Sequence, residues 1–188
     1  LEDRLQARIV NFADDFVICC RGTGEAAMEA MRRMMGRLKL TINEAKTGRC
    51  RIPQAHFDFL GYTFGRCYST QTGRAYIGTR PSKKSIRKVC RTISEVTHRR
   101  WLLTDSEDRV VTLNRILVGW ANYFSLGPVS KAYRAVDCHA SARLRRWLRT
   151  KHKQPGQGTA RFPDEHLYDV LGLQRLSVRT RDLPWAKA

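Results

Sequence analysis

Asp14 and Asp15 stand side by side between two short runs rich in β-branched and aromatic residues, Arg8-Ile9-Val10-Asn11-Phe12 and Phe16-Val17-Ile18-Cys19-Cys20. Each run favours a strand, and Ala13-Asp14-Asp15 between them favours a tight reversal. Carboxylates at the tip of such a hairpin are hard oxygen ligands on a stiff support. They suit Mg²⁺ held jointly by protein and substrate phosphates, and so phosphoryl transfer in which two ions clamp the attacking and leaving oxygens. The plain alternative is a pair of solvated turn acids.

The elements that must position these residues follow in order. Thr23 reads as an N-cap for a helix in which Ala27, Met28, Met31, Met34, Met35 and Leu38 recur at helical spacing as a packing face. Leu40-Thr41-Ile42-Asn43 and Arg49-Cys50-Arg51-Ile52 read as short strands. Phe57 to Phe64 alternates aromatics around Gly61, a glycine that in a strand marks a close approach by ligand or backbone. Cys67-Tyr68 and Ala75-Tyr76-Ile77 form a hairpin across a turn bearing Gly73.

The pattern turns helical beyond Gly78-Thr79-Arg80-Pro81-Ser82. One helix buries Ile86, Val89, Cys90, Ile93 and Val96 and carries Lys83, Lys84, Arg87, Lys88 and Arg91 on its other faces. A second runs through Val110, Leu113, Leu117, Trp120, Ala121 and Phe124 and ends near Gly127-Pro128, and a third runs from about Lys131 to Leu148. Three amphipathic helices joined by short turns make a bundle. Residues 154–158 read as a flexible linker, and the tail to Ala188 as sparse apart from one short apolar helix around Leu167 to Leu171.

Composition narrows the function class. Among 188 residues, 35 Lys+Arg stand against 17 Asp+Glu, a formal charge of +18, while 42% hydrophobic content argues for a folded chain. So large an excess, mostly arginine, points to a polyanionic partner whose phosphates match the guanidinium fork. No long uncharged apolar run could span a bilayer, and no signal pattern opens the chain, which argues against a membrane partner. The six cysteines include no C-x₂-C pair and read as small core hydrophobes in a reducing compartment. The abrupt start at Leu1 reads as a piece of something longer.

Together these segments resemble the C-terminal half of group II intron reverse transcriptase/maturases. Phe12-Ala13-Asp14-Asp15 resembles the metal-binding motif of the palm, and Leu38 to Thr47 the next conserved block. Phe57 to Phe64 resembles the primer grip, Gly119-Trp120-Ala121-Asn122-Tyr123-Phe124 the signature of the maturase-specific thumb (domain X), and Arg161 to Tyr168 the tail that follows it. The resemblance implies an α+β fold in three parts: the end of a palm over residues 1–80, antiparallel strands with one packed helix; a three-helix thumb over 81–153; and a basic tail over 154–188.

It also implies roles. Asp14 and Asp15 would be catalytic metal ligands, and Lys46 would neutralise triphosphate charge or protonate pyrophosphate, its plain alternative being a surface charge. Phe59, Leu60, Gly61 and Tyr62 would carry the primer terminus, or simply form strand core. Trp120, Tyr123 and Phe124 read as bundle core before base-stacking platforms. Lys83, Lys84, Arg87, Lys88 and Arg91, with Arg143, Arg146 and Arg149 on the third helix, would contact RNA phosphates.

The implied function is RNA-directed DNA polymerisation with two Mg²⁺, together with intron RNA binding, splicing assistance and retroelement mobility. The implied partners are group II intron RNA, RNA template, DNA primer and dNTP, in the bacterial cytoplasm on a ribonucleoprotein or the nucleoid, or in an organelle. The family's upstream palm aspartate and its fingers do not precede Asp14 here, so the metal set is incomplete in this chain. The alternative is therefore an RNA-binding maturase module, or an inactive truncation, that a missing N-terminal region would complete.

Overall fold

Strand propensity with a period of two and helix propensity with a period near 3.6 divide the chain into local elements. The computed structural model describes residues 6–69, 71–156 and 158–183. It is mixed helix and sheet, with two small antiparallel sheets, in accord with the α+β expectation. The chain falls into two compact units, residues 1–51 and 52–188.

In the first unit, β1 (Arg8–Phe12) and β2 (Asp15–Cys19) pair antiparallel, with Phe12 opposite Asp15 and Val10 opposite Val17. Ala13 takes a positive φ of 53° to close the turn. Helix α1 (Glu25–Arg37) follows, with Ala27 and Met31 buried. Its N-cap is Gly24 at φ 73°, not Thr23, and no side chain caps it. Glycine reaches that left-handed geometry without the steric penalty that threonine would meet. Residues 40–43 and 49–52 form no strand. Their short alternation finds no partner strand among the described residues, and an unpaired segment has no ladder to define it.

The second unit opens with a meander of β3 (Phe57–Phe59), β4 (Tyr62–Tyr68) and β5 (Ala75–Pro81). The alternating run from Phe57 to Phe64 is thus two strands and not one. Leu60 (φ 50°) and Gly61 (φ 79°) form a two-residue hairpin turn, and Phe57 faces Phe64 across the ladder. Two successive positive φ values are what such a hairpin requires, so Gly61 marks a reversal.

Helices α2 (Lys83–Val96), α3 (Ser106–Tyr123) and α4 (Ser130–Lys151) come next. The change of period near Pro81 therefore marks the passage from β5 to α2 inside one unit, while the division between units falls at Arg51/Ile52. Ser82 caps α2 by accepting from the Ser85 amide at 3.1 Å. Cys90 and His139 meet at 2.9 Å, as do Ser94 and Arg143 at 3.0 Å, so α2 and α4 run in the same direction.

One core joins Val89 and Ile93 of α2, Leu113 and Leu117 of α3, and Val136, Leu144 and Trp147 of α4. The tail expected to be sparse supplies Phe162, Leu167, Leu173 and Leu176 to this same core. Asp137 of α4, buried, accepts from the Leu176 and Ser177 amides at 2.8 and 2.9 Å, so the first amides of a last short helix (Leu176–Arg179) are satisfied by a side chain 39 residues away. Of the six cysteines, all free, only Cys67 is buried, while Cys19, Cys50 and Cys138 are exposed. An apolar neighbour in sequence does not place a residue inside when it lies on the outer side of a hairpin or helix.

Candidate nucleic-acid interface

A helix that packs on a core leaves its opposite face to solvent, and on α2 that face is basic. Taking 100° per residue, Lys83, Lys84, Arg87, Lys88 and Arg91 fall within an arc of about 140°, opposite buried Val89 and Ile93. All five are exposed. Glu95 is the one acid on the helix, 3.5 Å from Arg91 and one turn beyond it. Arg99 and Arg100, both exposed, extend the positive charge past the helix end. Like charges crowded on one face repel each other, and a polyanion bound along it relieves that repulsion.

The third-helix arginines divide by what they touch. Arg143 turns inward: its guanidinium donates to Thr97 Oγ1 at 3.1 Å and to the carbonyls of Ser94 at 3.0 Å and Thr97 at 3.3 Å. It thus satisfies carbonyls at the C-terminal end of α2. Burial, with neighbouring Arg146 adding to it, pushes its pKa below the usual arginine range. Arg149 donates to the carbonyl of Gly156 and ties down the turn after α4, the stretch read as a flexible linker. Arg146 is exposed.

Two further cations on α4 are internal. Arg145 holds the Phe162 carbonyl at 2.8 Å and the Asp164 carboxylate, and Lys151 Nζ holds the carbonyls of Leu102 and Thr104 at 2.8 Å each. Composition counts these as available positive charge. Only the acceptors brought in by other segments reveal them as ties.

The Leu60-Gly61-Tyr62 hairpin is fastened to the bundle. The Gly61 carbonyl accepts from the Ser82 amide at 2.9 Å and from Ser85 Oγ at 2.8 Å, and the Leu60 carbonyl accepts from Tyr123 Oη at 2.9 Å. Tyr62 Oη in turn donates to the Tyr123 carbonyl at 2.6 Å. A Cβ at Gly61 would lie 2.9 Å from Ser85 Oγ and 3.0 Å from Phe124 Cζ. The close approach expected at this glycine is thus made by the chain itself, by Ser85 of α2 and by Phe124 just past the end of α3. Phe59 is half-buried and Tyr62 buried. Around them Tyr62, Tyr123, Phe124 and Trp120 form an aromatic cluster with centroids 4.8–6.0 Å apart. Phe124 is buried, whereas Tyr123 keeps an exposed ring.

Asp14 and Asp15 lie exposed at the β1–β2 tip, and Lys46 is exposed in the loop beyond α1. Among the described residues no group of three His, Cys, Asp or Glu could hold a metal ion. Two adjacent carboxylates on open surface fit Mg²⁺ only as part of a larger donor set. The described residues do not make that set by themselves.

No described helix is long and apolar enough to cross a membrane. Compared with known families, residues 86–162 match the group II intron, maturase-specific domain. That stretch holds most of α2, all of α3 and α4, and Phe162 of the core. A comparison with curated proteins finds no match.

Proposed function

From a chain that belongs, through its maturase-specific domain at residues 86–162, to the group II intron maturases, we propose a function carried by direct binding of intron RNA along α2. The domain implies a maturase role in intron splicing. The observation that carries the reading is the arc of five exposed cations on α2, on a helix whose opposite face is locked into the bundle. Such a face contacts phosphates without remodelling the fold, and it recognises charge spacing more than sequence. Clamped along helical RNA, it stabilises a folded intron by binding that form more tightly than the unfolded one.

Replacing Lys83, Lys84, Arg87, Lys88 and Arg91 together with Gln is expected to weaken binding of a structured intron RNA by roughly tenfold or more at low salt. It should also flatten the salt dependence, since each lost phosphate contact removes a unit of counterion release. Filter binding or anisotropy across a salt series measures both. Unchanged affinity and slope in a variant with unchanged thermal unfolding would refute the assignment.

A second reading, RNA-directed DNA polymerisation, is favoured by one observation: the β1–β2 hairpin sets Asp14 and Asp15 at its turn. In it, template, primer, dNTP and Mg²⁺ are partners of a larger assembly that completes the donor set. This chain alone, given a primed RNA template, dNTPs and Mg²⁺, is then expected to extend no primer. Robust extension that survives Asp14→Asn would remove the hairpin from the chemistry altogether.

A further inference from the structure

The turn after α4 and the start of the tail border an open cleft of about 460 Å³ lined by His152, Gln154, Arg161, Phe162 and His166. Its floor is fixed. Phe162 is buried in the core, its amide donates to the Gly158 carbonyl at 2.8 Å, and its carbonyl accepts from Arg145 at 2.8 Å. The imidazoles of His152 and His166 both rest on the Phe162 ring, with centroids 5.8 and 5.5 Å away. Gln154 is held in place through its amide donation to the His152 carbonyl at 3.2 Å and its backbone bond to Arg149. Arg161 is exposed.

Among the described residues no carboxylate lines this cleft. Of the two acids between Phe162 and His166, Asp164 is engaged by Arg145 and Glu165 is exposed beside His166. The lining therefore offers flat π faces, a guanidinium fork, an amide and imidazole nitrogens around a volume in the range of small-ligand sites. That combination matches one unpaired nucleotide. Its base would stack on the imidazoles, its edge would meet Gln154, and its phosphate would meet Arg161. A duplex offers no such unstacked base.

We propose that the His152–Gln154–Arg161–His166 cleft is a second RNA contact, which takes a single unpaired nucleotide of the RNA whose phosphates lie along α2. The proposal rests on the RNA-binding reading above and adds selectivity for single-stranded segments. The α2 face supplies charge, and the cleft supplies discrimination between a stacked and a splayed base.

The test compares the full chain with its Arg161→Gln/His166→Gln double variant and with Arg161→Gln alone. Fluorescence anisotropy is read on a short mixed-sequence single-stranded RNA and on a blunt RNA duplex of equal length. The double variant is expected to lose about tenfold in affinity for the single strand and less than about twofold for the duplex, in line with the loss of one stacked base. Arg161→Gln, at an exposed site that leaves the Phe162 floor intact, is expected to lose roughly threefold on the single strand only. Equal losses on both RNAs, or none on either, would overturn the cleft.

Adenosine monophosphate alone, titrated by calorimetry, separates a free nucleotide from RNA as the source. Saturable micromolar binding that the double variant loses, with single-strand affinity unchanged, would assign the cleft to a free nucleotide and sink the RNA reading of it. If the five-residue α2 variant binds both RNAs as the parent does, the α2 assignment fails instead, so the two failures are told apart.

Discussion

Alanine at Gly127 is expected to destabilise residues 52–188 by about 3–5 kcal/mol, a large fraction of the stability of a unit this size. Gly127 has φ +74°, where an L-residue costs about 1–2 kcal/mol. The larger effect is steric: a Cβ there would lie 1.9 Å from the Thr79 carbonyl oxygen and 3.0 Å from its carbon. Those atoms belong to the backbone of β5, where Thr79 pairs with Phe64, so they cannot retreat without disturbing the sheet. Relief requires the α3–α4 connection to lift off β5. Gly119→Ala is the contrasting control. It sits within α3 with nothing within 4 Å of its Cβ position and is expected to stabilise by up to about 1 kcal/mol. Urea unfolding read by circular dichroism distinguishes them, and a Gly127→Ala midpoint equal to the parent's would contradict the contact.

Arg143→Gln is expected to cost about 2–3 kcal/mol, whereas Arg146→Gln, three residues along the same helix, should cost less than about 0.5 kcal/mol. Arg143 bridges the Ser94 and Thr97 carbonyls and the Thr97 hydroxyl, and Thr97 is buried. Removing the guanidinium leaves acceptors at the α2 C-terminus without a partner where water reaches them poorly, and glutamine is too short to replace a two-pronged donor. Arg146 is exposed and has no comparable duty. For RNA the order should reverse. Arg146→Gln lowers affinity with no change in stability, and Arg143→Gln lowers affinity only at temperatures where it also unfolds the domain. If the two variants unfold at the same denaturant concentration, the inward role of Arg143 is wrong.

Much of the fold was legible because it is written locally. The Arg8–Cys19 hairpin follows from two strand-favouring runs around a short polar turn, and the apolar spacing of α2, α3 and α4 repeats near 3.6 with no distant partner needed. The misses have local causes too. Residues 40–43 and 49–52 alternate like strands but have no partner strand among the described residues. In the run from Phe57 to Phe64 the aromatics stand two apart on either side of Leu60-Gly61, and the one break in that spacing, the three-residue step from Phe59 to Tyr62, is where two residues at positive φ reverse the chain. The tail reads as sparse since its core residues, Phe162, Leu167, Leu173 and Leu176, follow one another at uneven steps that sustain neither a helical nor a strand period.

The candidate interface divides along the same line. That α2 carries a basic face was determined by the sequence, because five cations and the buried Val89 and Ile93 lie on one helix and their angular separation needs only its pitch. Which arginines of α4 remain available was decided by tertiary structure alone. Arg143, Arg145, Arg146 and Arg149 are chemically identical and close in sequence. They differ in whether Thr97, Phe162 or Gly156 brings a carbonyl or hydroxyl within reach. A side chain's charge is a property of the residue, but whether that charge is free depends on acceptors that only the folded chain delivers.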